Sequence, residues 1–427
     1  MISKAVRIHW RNHKILDLLL LKKKKFKKPN KANGRNQELK SFEKCIKELA
    51  PKWSDKSPEP LAQLDYENEL DLKNKAFKNF LSSNGVSTEI KAILASPKPR
   101  HYRTTSKRRV FCTREGIGLG FSEQVKAGEV LKSDLEPTEH QEIYEQLHKL
   151  LSESSFNPLA RSLNWLIIRG TYERRFLILN FFKMNSGLVR KIKQLSEKLQ
   201  REKVVEGAMT YFDPSRSEYY LEAERPQKGI QTKHLFGPKL LGLKVNEVLM
   251  RYSPIGFSQI NESMIPHMIE IAEDLLAPEE SDSLLDLYCG YGLFSHTIAK
   301  QCKKVTGFEL SKDAINSARE ISKRLKTEHK MKFYSEKIDS RFVRDKLGEA
   351  VDELILLDPP RKGCEPGVIS ELAKRKPKRV LHIFCGTDVV PRELKQWKED
   401  GYKPKTIQAI DMFPGTPNLE TMVLLER

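Results

Sequence analysis

The sequence predicts an α/β fold, in which a doubly wound, mostly parallel sheet follows an α+β region and a basic amino-terminal arm. Strands and helices alternate after about residue 258, which is typical of a parallel sheet with helices on both faces. Several of these strands end in an acid, a glycine turn or a cysteine, where such sheets bind ligands. We therefore expect an arm over residues 1–60, an α+β domain over 61–255 and an α/β domain over 256–427.

The arm carries much of the positive charge of the chain. The 427 residues include 76 Lys and Arg against 57 Asp and Glu, a net charge of +19. Residues 1–36 alone hold twelve of these bases and one acid, Asp17. Such a field favours a polyanionic partner, and RNA, DNA or an anionic membrane surface would each fit. Because the lysine runs lack interleaved aromatic residues, the arm is either a solvated tail or a nonspecific phosphate-binding segment.

Cysteine spacing and hydropathy exclude several classes of protein. The six cysteines are irregularly spaced and form no CxxC pair, so we expect reduced thiols, no metal or iron-sulfur site and a cytoplasmic location. The apolar run Ile15–Leu21 is too short to span a bilayer, and we expect no membrane association. Its lysines follow the run, unlike those of a secretory signal, while a mitochondrial transit peptide stays open.

Periodicity predicts the elements in order. Helical spacing over residues 61–96 stops at Ser96–Arg100, where two prolines interrupt it. The middle region then predicts strands near 110–112, 116–121, 165–169 and 176–182 and a helix over 191–203. In the α/β region we expect helices over 263–276, 292–301 and 312–326, and strands over 284–287, 304–308, 353–357, 379–384 and 422–425.

The first chemical signal is a glycine turn after the strand Leu284–Leu287. Gly290 and Gly292 let a ligand approach the backbone closely at the start of a helix. Ser295 makes the dinucleotide fingerprint G-x-G-x-x-G incomplete. Glu309 ends the next strand, where a carboxylate can accept both ribose hydroxyls, so the pair predicts an adenosine site.

Three further residues stand at the predicted carboxyl edge of the sheet. Asp358 follows an apolar strand and precedes two prolines that fix the backbone. Cys385 ends the next strand, a position that favours a reactive thiol over an inert one. Glu420 follows a polar loop at the start of the last strand and is a candidate base. The edge therefore combines a nucleophile, a base and a ligand site.

Over residues 66–427 the chain resembles the S-adenosylmethionine-dependent RNA 5-methyluridine methyltransferases. The resemblance is carried by Phe257–Asn261, Leu287–Gly292, Asp358–Gly363, the Cys385 strand end and Asp411–Glu420. It implies a Rossmann-like class I methyltransferase domain, with the α+β domain recognising RNA. It also implies S-adenosyl-L-methionine as cofactor, Cys385 as nucleophile and Glu420 as proton acceptor. The residues that it implies in contact with cofactor or target base are Gln259, Tyr288, Glu309 and Asp358.

The implied chemistry follows from the weak nucleophilicity of carbon 5 of uracil. Addition of the Cys385 thiolate to carbon 6 moves electron density to carbon 5, which can then accept a methyl group. Glu420 would remove the carbon 5 proton so that the thiolate can leave. Useful thiolate at neutral pH requires a lowered pKa of the Cys385 thiol. The target base must be extruded from folded RNA, and basic residues expected to contact RNA are Arg100, Arg103, Lys107, Arg108 and Arg109.

Departures from the family pattern leave alternatives open. Gly386 replaces the polar residue that usually follows the nucleophile, Asn418 replaces a histidine, and Leu293 replaces an asparagine in the glycine turn. We expect a transfer RNA substrate and a monomer, because neither the four close cysteines nor the extra barrel of ribosomal RNA enzymes is visible. Ribosomal RNA, a 5-methylcytosine product and a noncatalytic RNA chaperone remain alternatives. Cys364, four residues after Pro360, argues against the 5-methylcytosine arrangement.

Overall fold

In a computed structural model of the chain, the structure describes residues 40–50, 57–121, 125–217 and 229–427. Most of the expected basic arm, residues 1–39 and 51–56, therefore lies outside the described residues. Residues 40–427 belong to one structural unit. The division between the second and third expected domains at residue 255 stays a proposal.

Two amino-terminal helices pack against the carboxyl-terminal sheet. Helix α1 spans Phe42–Leu49 and helix α2 spans Tyr66–Ser83, capped by Ser41 and Asp65. The rings of Phe42 and Phe77 meet edge to face at 5.9 Å between centroids, within a buried cluster that includes strands of the carboxyl-terminal sheet. The helical periodicity expected up to Ser96 ends at Ser83, and the following residues instead form bridges at Ile90 and Leu94 to the last strands.

A six-stranded sheet forms the middle of the chain. Its order is β2-β1-β3-β4-β5-β6, antiparallel except for the parallel pair β4 and β5. The strands are β1 Ser106–Cys112, β2 Ile117–Gly120, β3 Leu163–Gly170, β4 Arg175–Phe181, β5 Gly207–Phe212 and β6 Gln231–Phe236. One face packs against helices α3 Thr138–Ser152, α4 Asn157–Ala160 and α5 Ser186–Arg201. The middle region thus contains both helices and strands, and α3 was not among the expected elements.

A short hairpin joins this sheet to the rest of the chain. Strands β7 Leu241–Val245 and β8 Val248–Tyr252 pair antiparallel, and a 3₁₀ turn over Glu262–Met264 leads into helix α6 Ile265–Leu276. The second face of the middle sheet, the hairpin and α6 share one buried apolar cluster with the carboxyl-terminal sheet. The two sheets are therefore joined by a continuous core rather than by a bare linker.

The carboxyl-terminal sheet has seven strands in the order β11-β10-β9-β12-β13-β15-β14. The first five run parallel, and β15 is antiparallel to both neighbours. The strands are β9 Ser283–Leu287, β10 Lys304–Glu309, β11 Met331–Ser335, β12 Glu353–Leu357, β13 Arg379–Phe384, β14 Lys403–Ile410 and β15 Glu420–Glu426. The helices are α7 Leu293–Thr297, α8 Lys312–Leu325, α9 Ser340–Lys346, α10 Val368–Lys374 and α11 Val390–Glu399. This confirms the doubly wound α/β prediction.

The strand order reverses between β9 and β12, because successive strands run outward from β9 to β11 and then return to β12. Such a reversal opens a crevice at the carboxyl ends of the strands. Tyr288 and Asp358 directly follow the two strands at this point. Among the described residues, no helix is both long and apolar enough to cross a membrane.

Replacement of Phe77 by alanine tests the attachment of α2 to the sheet. The side chain is 1% exposed, so we expect the free energy of unfolding to fall by about 3–5 kcal/mol. Lys78, the exposed neighbour on the same helix, is the control, and Lys78→Ala should change it by less than about 0.5 kcal/mol. Chemical denaturation measures both, and equal small changes would contradict the packing described.

Candidate active site

The ends of neighbouring strands bring three reactive side chains together. Cys385 follows β13, Asp358 follows the adjacent β12, and Glu420 begins β15 on the other side of β13. Phe384 pairs with Thr421, so Cys385 lies beside Glu420. The thiol Sγ is 2.9 Å from Glu420 Oε1 and 3.3 Å from Asp358 Oδ1. We call these three side chains the thiol–carboxylate cluster.

Burial decides the protonation of the cluster. It raises the pKa of the Cys385 thiol well above the usual range, and Glu420 and Asp358 raise it further. The expectation of a lowered thiol pKa is therefore wrong for the protein without substrate. Two nearby carboxylates disfavour a thiolate. In the resting protein the thiol keeps its proton.

The two carboxylates are perturbed in the same direction. Burial raises the pKa of Glu420 to about 7, while the hydrogen bond from Cys385 and the charge of Arg361 act to lower it. Burial and the Glu420 charge raise the pKa of Asp358 well above its ordinary value. Like charges in a buried site do not ionise together easily. The cluster therefore exchanges protons near neutral pH, as a general base must.

One oxygen of Glu420 has no partner. Oε2 is buried and accepts no hydrogen bond from the described residues, whereas Oε1 receives the thiol. A buried oxygen in this state requires an explanation, and a ligand proton is one. The guanidinium of Arg361 lies 5.6 Å from the centre of the Phe413 ring, and its charge acts on Glu420. Arg361 lies in the segment Asp358–Gly363, but its electrostatic effect on Glu420 was not predicted from the sequence.

The glycine turn after β9 is shaped for close approach. Gly290 has φ of +54°, and a Cβ there would meet no atom within 4 Å, so the backbone faces open space. Gly292 has φ of +82°, and a Cβ would lie 2.9 Å from the His296 ring. Gly292 thus allows the turn to pack on α7, while Gly290 leaves room for a ligand. Tyr288 also adopts a positive φ, 64°, and its hydroxyl interacts with the Cys364 thiol.

The acids beside this turn fit the adenosine part of S-adenosylmethionine. Glu309 accepts a hydrogen bond of 2.8 Å from the Ser311 N–H, and the Gly290 N–H also acts to lower its pKa, although burial raises it overall. Asp286 accepts a bond of 2.5 Å from Ser295 at Oδ2, while buried Oδ1 has no partner among the described residues. Open space over Gly290 together with acceptor oxygens is what a ribose and a charged methionine part require.

Glu393 holds the loop that begins with Asp358, Pro359 and Pro360. The Cys364 N–H donates to Glu393 Oε1 at 2.9 Å, and a Cβ on Gly363, whose φ is +85°, would lie 1.9 Å from that oxygen. Glycine is required at position 386 for a similar steric reason, because a Cβ there would lie 2.1 Å from the carbonyl oxygen of Arg361. The departure at Gly386 therefore lets the loop approach the nucleophile strand closely.

Cys364, His382 and Glu393 have potential metal ligand atoms within 4.8 Å of one another. However, Trp397 Nε1 donates to His382 Nδ1 at 3.1 Å, so neutral His382 carries its proton on Nε2. A metal at Nε2 would need the opposite tautomer. The group is better explained as a hydrogen-bond network, and its residues do not fit a metal.

Gln259 lies in the segment that joins the two sheets. Arg169 fixes this segment by donating to the Gly256 carbonyl at 2.5 Å and to Ser258 Oγ at 2.6 Å. Asn261 is fully buried and donates to Ser96 Oγ and to the Met412 carbonyl. The side chain of Gln259 is buried and makes no hydrogen bond with the described residues. Among the described residues no hydrogen bond joins it to the thiol–carboxylate cluster, and its role stays a proposal.

The expected RNA contacts divide into two groups. Arg108 is 0% exposed and forms two hydrogen bonds with Glu136, of 2.8 and 2.7 Å, so its prediction as an RNA contact is wrong. Arg100 is bonded to backbone carbonyls and to Glu69. In contrast, Lys107 and Arg109 lie over the Trp165 ring, at 4.2 and 5.8 Å from its centre. Arg103, Lys107 and Arg109 remain predicted contacts.

The chain is similar to known RNA methyltransferases. A family model described as tRNA (Uracil-5-)-methyltransferase matches residues 223–427. An uncharacterized RNA methyltransferase of Nanoarchaeum equitans is 26% identical over 375 residues, covering 85% of this chain and 76% of the relative. Another, of Fusobacterium nucleatum, is 27% identical over 381 residues, covering 86% and 79%.

A solved structure has the same fold. The Pyrococcus abyssi tRNA (uracil-54, C5)-methyltransferase, in complex with S-adenosyl-L-homocysteine, superposes with a TM-score of 0.63 at 20% identity, covering 86% of each chain. The Rossmann-like methyltransferase fold of this chain is therefore established.

The raised pKa of Glu420 predicts a pH dependence of stability. Its ordinary value is 4.5 and the folded value about 7, so this residue's contribution to stability is complete below pH 4.5 and is lost as pH rises through about 7. Glu420→Gln has no ionisable group at this position and so does not lose this stability. The melting temperature of the variant should therefore rise relative to that of the original chain as pH is raised from about 5 to about 8. A difference that is constant over this range would contradict the buried, protonatable Glu420.

Proposed function

We propose that this chain, which belongs to the tRNA (uracil-5-)-methyltransferase family, methylates carbon 5 of a uridine in transfer RNA through a covalent bond to Cys385. It is an RNA methyltransferase that uses S-adenosyl-L-methionine. The observation that carries the proposal is the contact of one thiol with two carboxylates at the end of the crevice, of which Glu420 is buried and Asp358 half-buried. A nucleophile and a base at this separation can act on adjacent atoms of one pyrimidine ring.

In the first step, the Cys385 sulfur forms a bond to carbon 6 of the uracil, and the ring electrons move to carbon 5 and oxygen 4. The proton leaves the thiol for a facing carboxylate, because the thiol pKa is too high for a resting thiolate. When bound, S-adenosylmethionine supplies an electrophilic methyl group on a sulfonium. Gly290 and Glu309 would hold its adenosine part, and carbon 5 of the substrate accepts the methyl group.

In the last step, Glu420 accepts the proton on carbon 5, the ring double bond re-forms and the carbon 6–sulfur bond breaks. The reaction thus moves two protons, and the cluster offers two carboxylates for them. The carboxyl group that took the thiol proton in the first step can return it to the sulfur as the sulfur leaves. Oε2 of Glu420, which lacks a partner among the described residues, supports its assignment as the acceptor of the carbon 5 proton.

The contacts of Cys364 argue against the 5-methylcytosine alternative. Its sulfur lies 4.0 Å from His382 Nε2, and its backbone is held by Glu393. In a 5-methylcytosine enzyme, the second cysteine would need to face the same substrate ring as Cys385. Transfer RNA is proposed as substrate from the family, and the noncatalytic chaperone alternative is set aside because the chain is an enzyme.

Methylation of transcribed transfer RNA tests the proposed function. Mass spectrometry should locate 5-methyluridine at one position, and Cys385→Ala should form no product while still binding RNA. The rate with the original chain should rise as pH passes through about 7, because Glu420 must be ionised. Product on ribosomal RNA alone, or methylcytidine, would refute the substrate assignment, and a product from Cys385→Ala would refute the nucleophile.

The assignment of Glu309 predicts a specific loss of cofactor affinity. Glu309→Gln keeps the side chain's size but removes the charge that would accept the ribose hydroxyls. We expect the dissociation constant of S-adenosylmethionine, measured by calorimetry, to rise by about 10- to 100-fold. Glu336, an exposed acid just beyond β11, is the control, and a similar rise in Glu336→Gln would speak against a direct contact at Glu309.

A further inference from the structure

We propose that Lys73, a buried lysine of helix α2, is a positioning residue that holds Glu420 in place for removal of the carbon 5 proton. This inference rests on the proposed function. Lys73 lies outside the range of the matching family model, residues 223–427. Its sequence context gives no sign of the role, because it is one of many lysines in a charged helix.

The ammonium group of Lys73 is fully enclosed and fully bonded. Nζ lies 2.8 Å from Glu69 Oε1, 2.9 Å from Asp411 Oδ1 and 3.3 Å from the carbonyl oxygen of Phe413. The side chains of Lys73, Glu69 and Asp411 are 0% exposed. A lysine has three N–H donors, and here each has an acceptor. Two of the three acceptors belong to the loop over residues 411–419, which we call the carboxylate loop.

Neighbouring groups balance the charge and extend the contact. Arg100 pairs with Glu69 Oε2 at 3.0 Å, and the Gly415 N–H donates to Glu69 Oε1 at 2.5 Å. The hydroxyl of Tyr66 donates to Asp411 Oδ2 at 3.2 Å. Two bases thus face two acids. Arg100 is 21% exposed, whereas Lys73 and both acids are fully buried, so the attraction of Lys73 for the acids is little screened.

The carboxylate loop connects this network to the reactive cluster. Ile410 pairs with Glu420 across β14 and β15, so Asp411 is the residue next to the pair. Further along the loop, Phe413 carries the ring beneath Arg361, whose charge acts on Glu420. A shift of Asp411 or Phe413 would therefore move both the backbone partner of Glu420 and the cation that tunes it.

Most other bonds of the loop also come from distant parts of the chain. The carbonyl groups of Met412, Pro414 and Gly415 accept from Asn261, Tyr102 and Leu61, respectively. These contacts hold the loop in its folded shape. Lys73 differs from them because it neutralises the charge of Asp411, the first residue of the loop. Buried ion pairs often add little stability, but they can fix one arrangement among several.

The mechanism provides a readout that separates positioning from folding. If Glu420 is displaced, Cys385 can still add to carbon 6 and carbon 5 can still be methylated, but the carbon 5 proton is not removed. The carbon 6–sulfur bond then persists, and a protein–RNA adduct with ordinary uridine accumulates. A variant that is merely destabilised forms less adduct and less product together.

The test uses Lys73→Met in the full chain, with transcribed transfer RNA and S-adenosylmethionine. Methionine has similar length and no charge, so Asp411 loses its cationic partner and keeps the hydrogen bond from Tyr66. We expect kcat to fall by about 10- to 100-fold, KM for RNA to change by less than about 2-fold, and a denaturation-resistant adduct to accumulate on gels. Glu420→Gln is the positive control for adduct accumulation.

The control on the same helix is Lys75→Met. Lys75 pairs with Asp71 at 2.6 Å, with both side chains more than 60% exposed, so kcat and the adduct fraction should match the original chain. Tyr66→Phe is a second, milder variant that removes the hydroxyl, which donates to Asp411 and accepts from the Ser96 N–H. It should lower kcat less and raise the adduct fraction in the same direction, and it decides the question if Lys73→Met does not fold.

The outcomes distinguish the inference from the function on which it rests. If the original chain makes no 5-methyluridine, the proposed function fails. If it does, and Glu420→Gln accumulates adduct while folded Lys73→Met does not, the positioning role is overturned. A loss of adduct and product in parallel, with a lower melting temperature, likewise overturns it, and so does Tyr66→Phe with unchanged kcat and adduct.

Discussion

The structure depends on keeping one thiol and two carboxyl groups together, with Glu420 buried and the other two half-buried. The Cys385 thiol lies within hydrogen-bond distance of both Asp358 and Glu420, and burial raises the pKa of each of the three groups. Ionising any one of them makes the ionisation of its neighbours harder. The cluster therefore lowers the stability of the fold above neutral pH. It can nevertheless exchange protons in the pH range where an enzyme operates. Loss of stability and gain of reactivity have the same physical origin in these groups.

The rest of the fold holds this arrangement in place from several directions. Three neighbouring strand ends set the backbone positions of Asp358, Cys385 and Glu420. Gly363 and Gly386 allow neighbouring segments to approach more closely than a Cβ would permit. Helix α2 adds the buried ion network around Lys73 and Asp411. The amino-terminal helix is thus part of the scaffold of the site, although 338 residues separate Lys73 from Asp411.

Much of the α/β architecture could be predicted because its signals are local. Buried parallel strands are continuous apolar runs, as in Glu353–Leu357, and ligand sites follow their carboxyl ends. This rule was enough to select Cys385, Asp358 and Gly290. Strand β14 was missed because lysines and a proline break its apolar pattern, and its pairing with β15 is what buries Ile407 and Ile410.

Other features depended on contacts that a single sequence does not reveal. Arg108 looks like its half-buried basic neighbours Lys107 and Arg109 in the sequence, but Glu136 pairs with it inside the domain. The direction of the Cys385 pKa shift depends on which charges surround the sulfur, and two of them are acids. The role proposed for Lys73 depends on a loop brought close by folding.

The most direct test is to identify the residue that bonds to the target base. RNA containing 5-fluorouridine should trap the intermediate, because fluorine on carbon 5 cannot be removed as a proton by Glu420. After incubation with S-adenosylmethionine and digestion, mass spectrometry should find a methylated fluorouridine attached to the peptide that contains Cys385. An adduct on another cysteine, or no adduct from a chain that methylates ordinary RNA, would contradict the account.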